Sequence, residues 1–359
     1  STFVGGQGWD EGRSLRFTPE GKILVAGYTN SNDFPVTEDA LYDNRQAYDE
    51  GCVFILSPGG RRLLYSTYIA WNTYEDSWAA YLDDDGVMTV FGLTTSTDLP
   101  ISEHAFQIQK GDAPESNPYI ADFYVLKYRL DSGEILACTY LGGSGSERYP
   151  NSLIPLPDGS VFVSGSGNSV DYPLTEGAPL SIPDTYSAKI SFLNSDLSEL
   201  LFSAELGGHG HTHIRGLLIL EKNLIFAGLS YAGDFPTTAG SYQEKKRGEI
   251  DAFFTILDLS SVLTGIETPA DIQKTAVLSS QYPNPAQSET TIPFSLPRAG
   301  HIRLAIHDMI GREALSVLDT QLDAGEHQVT VALGHLSPGA YLVRLLTPAG
   351  MQSRMLHVF

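Results

Sequence analysis

At 359 residues, with 42% hydrophobic residues, 35 Gly and 20 Pro, the chain reads as an ordered, turn-rich, all-β protein of two or three domains with real cores. A net charge of −21 excludes a nucleic-acid partner, because phosphate binding needs a basic patch, and it suits solubility, a salty environment or cation binding. The charge is uneven: residues 1–281 carry −20 and the residues from Tyr282 onward carry −1, so two chemically different regions are expected.

The chain opens on Ser1-Thr2-Phe3-Val4-Gly5-Gly6, a phrase that returns as STYIA from Ser66, TYLGG from Thr139 and AELGG from Ala204. A second phrase keeps time with it: Asp33-Phe34-Pro35, Asp98-Leu99-Pro100, Asp171-Tyr172-Pro173 and Asp234-Phe235-Pro236, at steps of 65, 73 and 63 residues. Such a period marks a supersecondary unit that cannot bury its apolar face alone and stacks on copies of itself. No signal peptide precedes the opening phrase, which starts in the middle of a repeat, so removal of the native N-terminus is expected.

Within the first copy, Ser14–Phe17 and Ile23–Gly27 flank the turn at residues 19–22, and Val53–Leu56 and Arg62–Tyr65 flank Ser57-Pro58-Gly59-Gly60. Turns at Asp84-Asp85-Gly86, Pro157-Asp158-Gly159 and residues 221–223 repeat the plan, with second hairpins starting at Asp122, Ala188 and Asp251. Two hairpins per unit predict four-stranded antiparallel sheets in series, which are the blades of a β-propeller. The run STYLGG, DGxxxVxGxT, DFPxT, DAFVxKL resembles the SBBP class of bacterial β-propeller repeats over residues 1–265. That resemblance implies an extracytoplasmic scaffold without a shared catalytic motif. Two arrangements follow: a small four-bladed ring with Ser1–Gly6 as closing strand beside the last hairpin, or a ring with further blades upstream.

Residues 266–281 read as a polar linker. A second module starts at Tyr282-Pro283-Asn284-Pro285, with strand candidates Thr291–Leu296, His301–His307, Ala314–Leu318, His327–Leu333, Tyr341–Leu346 and Gln352–Val358. Ile302, Leu304 and Ile306 alternate with Arg303, Ala305 and His307 as a half-buried strand does. Six short strands in residues 282–359 predict a compact Ig-like β-sandwich. YPNP at 282–285, TTIPFSLP at 290–297, the HDMIGRE run, LDAGEHQV at 322–329, LSPGAYLVRL at 336–345 and the closing RMLHVF closely resemble the C-terminal sorting domain of type IX secretion substrates. The resemblance implies recognition of residues 282–359 by the type IX machinery and an extracellular or outer-surface location.

Cys52 and Cys138 stand at non-equivalent positions and are expected as two half-buried thiols rather than a disulfide. His209, His211 and His213 alternate, and on an extended strand they would face one side as Zn²⁺ or Cu²⁺ ligands. They fall in a loop that varies between repeats, with no obvious fourth ligand, so a polar loop is the competing reading. Asp83-Asp84-Asp85-Gly86 lacks the ligand spacing of an EF-hand and reads as a turn. The recurring Asp-x-Pro triplets read as scaffold: the Asp caps loop N–H groups, the middle residue packs, and Pro fixes φ. Trp71, Tyr74, Trp78, Tyr119 and Tyr149 cluster near the variable loop and the 109–120 insert, as a candidate sugar-stacking or protein-contact surface, with packing into the blades as the commoner fate of such residues.

No Gly-x-Ser-x-Gly, HExxH, P-loop or dinucleotide motif is present, and no cofactor is called for. No apolar run approaches the roughly eighteen residues of a membrane span. These readings predict a secreted, non-catalytic propeller acting in adhesion, through surface glycan or self-association, or as a subunit of a filament or surface layer. The rival is a polysaccharide-binding lectin or carbohydrate-active enzyme with its site on the loop face around Trp71, Tyr149 and His209.

Overall fold

A computed structural model describes the whole chain except residues 19, 112–119, 177–185, 221, 264–276, 297–298 and 348–349. It divides into two compact units, Ser1–Thr268 and Pro269–Phe359, and among the described residues every regular element is a β-strand.

Among the described residues the first unit holds fifteen strands: β1 (Asp10–Phe17), β2 (Ile23–Thr29), β3 (Glu50–Leu56), β4 (Leu63–Ile69), β5 (Glu75–Leu82), β6 (Val87–Thr94), β7 (Asp122–Arg129), β8 (Ile135–Leu141), β9 (Glu147–Pro155), β10 (Val161–Gly167), β11 (Ser187–Leu193), β12 (Leu200–Leu206), β13 (Thr212–Leu220), β14 (Asn223–Ser230) and β15 (Asp251–Asp258). They form four consecutive antiparallel sheets, β1-β2-β3-β4, β5-β6-β7-β8, β9-β10-β11-β12 and β13-β14-β15. The expected hairpins are present with their turns. At Asp83 the carboxylate Oδ1 accepts the N–H groups of Asp85 (3.0 Å) and Val87 (2.7 Å) while Gly86 takes a φ of 77°, which is turn chemistry and accounts for the acidic run.

Because successive side chains point to opposite faces of a strand, each inner sheet is apolar on both sides and packs between neighbours. Leu24, Val53 and Ile55 of the first sheet meet Met88, Val90, Leu126 and Tyr128 of the second. Phe91, Phe123 and Val125 on the other face of the second meet Leu153, Val161 and Val163 of the third. Phe162, Ile190 and Phe192 of the third meet Ile214, Leu224 and Phe226 of the fourth. Cys52 and Cys138 are free thiols, wholly buried rather than half-buried.

The Asp-x-Pro corners hold the loops that lead into each sheet. Oδ1 of Asp33, Asp98, Asp171 and Asp234 accepts the backbone N–H of Gln7 (2.8 Å), Asn72 (3.2 Å), Ser144 (2.7 Å) and His209 (2.8 Å), in each case the loop that leads into the first strand of the same sheet. Phe34, Leu99 and Tyr172 are buried behind their corners. The Gly-Gly of the opening phrase follows from the same contact: a Cβ built at Gly143 or Gly208 runs into the carboxylate of Asp171 or Asp234.

Two expectations are corrected. Ser1–Gly6 lies outside the strands and does not pair beside β15, so the fourth sheet has three strands among the described residues. Part of the expected linker is structured: Val277–Leu278 forms β16 and pairs with Ser295 and Phe294, because Leu278 belongs to the buried core of the second unit.

That second unit continues with β17 (Glu289–Leu296), β18 (Gly300–Asp308), β19 (Glu313–Leu322), β20 (Gly325–Ala332), β21 (Gly339–Thr347) and β22 (Gly350–Val358). Two antiparallel sheets, β16-β17-β20 and β19-β18-β21-β22, share one core in which Ile292, Phe294 and Leu296 meet Ile302, Leu304, Ile306, Val343 and Leu345. Ala286 pairs with Val358, which fixes the YPNP segment to the last strand.

Candidate functional site

Three tyrosines and two histidines gather where the third and fourth sheets meet. Tyr149 sits in a bulge of β9: Ser152 opposes Ser164 and Arg148 opposes Ser166, so the residues between them face Gly165 alone. Tyr149 takes a φ of 50°, and its partly exposed ring stands nearly perpendicular to that of His213, with 4.9 Å between the ring centroids. The Tyr186 ring lies 5.1 Å from His211 and 6.4 Å from His213. His211 and His213 are 6.0 Å apart, and Tyr231 is 6.1 Å from His211. Backbone bonds hold this arrangement, Thr212 N–H to Tyr186 O (2.7 Å) and Tyr231 N–H to His211 O (2.8 Å).

His213 is buried on β13, and burial, with Arg215 and His211 nearby, lowers its pKa to about 4. Its imidazole is therefore neutral at pH 7, and Nδ1 is buried without a hydrogen-bond partner. The exposed face of Tyr149 suits stacking on a sugar or another planar ring, with His213 buried behind it.

The three-histidine expectation rested on an extended strand. In the structure β13 begins only at Thr212 and Gly210 takes a φ of 144°, so the alternation is broken. His209 turns instead to Asp234, with Nδ1 2.6 Å from Oδ2, and these bonds hold Asp234 below the ordinary carboxylate range. Among the described residues no group of three His, Cys, Asp or Glu is placed to hold a metal ion.

The expected aromatic surface is divided. Trp71 is buried, donates Nε1–H to the Tyr42 hydroxyl (3.3 Å) and packs edge-on against Tyr124, so it belongs to the core. Tyr74 bonds Asp76 (3.3 Å), and Trp78 lies under the Arg13 guanidinium at 4.5 Å. Tyr149 joins the histidine cluster, and Tyr119 lies outside the described residues. Tyr186 and Tyr231 were missed. Tyr231 carried a signal: its equivalents Asn30, Thr95 and Asn168 each accept a loop N–H through a side-chain oxygen, whereas a tyrosine three residues before the corner Asp is free for another use.

Comparison with known proteins bears on the second unit. Residues 280–357 match the family model of the secretion system C-terminal sorting domain. That domain marks the chain as a type IX export substrate, secreted or held at the cell surface. It also implies recognition by the type IX secretion machinery. No curated protein matches the chain. Among solved structures, hydrazine synthase of Kuenenia stuttgartiensis is 9% identical with a TM-score of 0.29, over 82% of this chain and 77% of that one. Dimeric latent PorU from Porphyromonas gingivalis is 11% identical with a TM-score of 0.22, over 98% of this chain and 34% of that one. A glycoside hydrolase family 43 arabinoxylan arabinofuranohydrolase from Bacillus subtilis is 9% identical with a TM-score of 0.26, over 99% and 92%. Scores this low carry no argument about fold or activity. Among the described residues no helix is long and apolar enough to cross a membrane.

Proposed function

We propose that the chain is a cell-surface β-propeller of the SBBP repeat type, exported through its sorting domain, that acts without catalysis in adhesion or as a subunit of an extracellular filament or surface layer. The observation that carries this reading is the sorting-domain match at 280–357 behind a series of repeated sheets whose recurring residues serve as corners and cores. The second unit, read as an Ig-like sandwich, supplies the export signal, and the first supplies the surface that meets the outside world. Sedimentation of the full chain over a concentration series tests it: large, reversible assemblies or tight attachment to whole cells support it, and a monomer that binds no cell surface refutes it.

A second reading follows from the cluster of Tyr149, Tyr186, His211, His213 and Tyr231, which has the chemistry of a glycan subsite. Binding to a polysaccharide array that falls at least tenfold on Tyr149→Ala supports the lectin reading, and an array without signal removes it.

A further inference from the structure

One face of the second unit breaks the alternation that governs the rest of it. An antiparallel sheet with one face on the core turns polar side chains to the other. The sheet β16-β17-β20 follows this rule: Ile292, Phe294 and Leu296 face the core, and Thr291, Ser295, Gln328 and Thr330 face outward. In β19-β18-β21-β22 the core side of the last two strands is taken by Val343, Leu345, Leu356 and Val358. The alternate positions are expected to be polar, yet two opposed pairs among them are apolar, Leu342 with Met355 and Leu346 with Met351. Met351 is 59% exposed and Met355 47%. Directly opposed side chains stand close enough to touch, so each pair makes one continuous apolar spot.

Between the two pairs stands Arg344. Its neighbours across the ladders are Ser353 on β22 and Ala305 on β18, and neither brings a charge to a guanidinium. Its Nε is buried without a hydrogen-bond partner. The three acids of this sheet are engaged elsewhere: Glu313 bonds Arg303 (2.8 Å), Asp319 lies 3.3 Å from His301, and Asp308 lies 3.3 Å from Arg312. Methionine and arginine set among aliphatic side chains are the composition of a protein-contact core rather than of a solvated sheet. Methionine adapts its shape to what it meets, and arginine adds one directed charge.

The whole patch lies within the residues that match the sorting domain, and that domain implies recognition by the type IX machinery. A second copy of the same sheet is a poor occupant, because its acids are held and it brings another Arg344. We propose that the outer face of β21 and β22, formed by Leu342, Arg344, Leu346, Met351 and Met355, is the surface by which the type IX machinery reads this chain. The partner segment presents apolar side chains to the two pairs and a carboxylate to Arg344. The inference rests on the sorting-domain assignment and locates the contact on it.

The test uses the full chain in a bacterium with a working type IX system. Met351→Lys with Met355→Lys, and separately Arg344→Glu, are expected to lower the exported fraction at least about tenfold. Met351→Leu with Met355→Leu keeps the face apolar, and Gln328→Lys adds a charge to the other sheet; both are expected at the parent level. Thermal unfolding of the purified chains separates a lost contact from a lost fold, and where the two lysines lower the melting temperature Arg344→Glu decides alone. Export of the charged variants at the parent level overturns the proposal, as does an equal loss on Gln328→Lys. Lysines that disperse an oligomer in sedimentation yet leave export intact assign the face to a second copy and overturn it too. A chain lacking residues 280–357 keeps the two claims apart. If it stays behind the outer membrane while the face variants are exported, this face is wrong and the sorting domain stands; if it too is exported, both fall.

Discussion

Replacing Glu147 by glutamine removes a deeply buried carboxyl from the first unit. Glu147 starts β9 fully buried, with its backbone N–H on Ala121 O (2.8 Å), Oε2 taking a long bond from Gly143 N–H (3.3 Å), and Ser169 and Lys189 nearby favouring the charged form too weakly to offset burial. Asp122, also fully buried, is its neighbour. Burial first, and Asp122 second, push the Glu147 pKa up to about 8, and burial lifts Asp122 to about 6. The native state therefore keeps a proton that the unfolded chain releases above its ordinary carboxylate pKa. Stability from this group is complete below about pH 4.5 and is lost as pH rises to about 8, at about 1.36 kcal/mol per pH unit. Between pH 5 and pH 7 the loss is about 2 to 3 kcal/mol. A glutamine side chain at this position cannot ionise, so Glu147→Gln is expected to be near parent stability at pH 5 and about 2 to 3 kcal/mol more stable at pH 7. Urea unfolding followed by tryptophan fluorescence reads the first unit alone, because Trp9, Trp71 and Trp78 all lie there. A parent whose stability rises from pH 5 to 7, or a variant with the parent's slope, refutes the argument.

Gly92→Ala is expected to cost about 2 to 4 kcal/mol in thermal unfolding, because the added Cβ meets the Asp76 carbonyl and the Tyr124 ring, neither of which can swing aside. Lys189→Met leaves Glu205 without the buried ammonium that bonds it at 3.1 Å, and a loss of about 3 to 5 kcal/mol is expected from urea midpoints. Dialysis against Zn²⁺ followed by metal analysis is expected to show no tight stoichiometric binding, because His209 is committed to Asp234; one ion per chain, lost on His211→Ala, contradicts that geometry.

What was legible in the sequence was whatever repeats. Hairpins could be read because period-two apolar runs are bounded by turn residues, and the corner role of Asp33, Asp98, Asp171 and Asp234 because a ligand site has no reason to recur in every unit. The phrase equivalence also showed that Ser1–Phe3 is a fourth-strand sequence, but not where it lies, since pairing depends on which sheet edge is near. For Trp71 the sequence left surface and core open, because an aromatic in a variable loop suits either; the structure shows it between Tyr42 and Tyr124. The histidines misled because alternation implies one face only on a strand, and Gly210 interrupts it. Tyr186 and Tyr231 reach His211 through contacts distant in sequence, which no local pattern announces.

Export of the full chain compared with a chain lacking residues 280–357, in a bacterium with a working type IX system, tests the central claim most directly. The full chain is expected at the cell surface or in the medium and the truncated chain behind the outer membrane. Equal export of the two contradicts the assignment of residues 280–357 as the sorting signal on which the surface role depends.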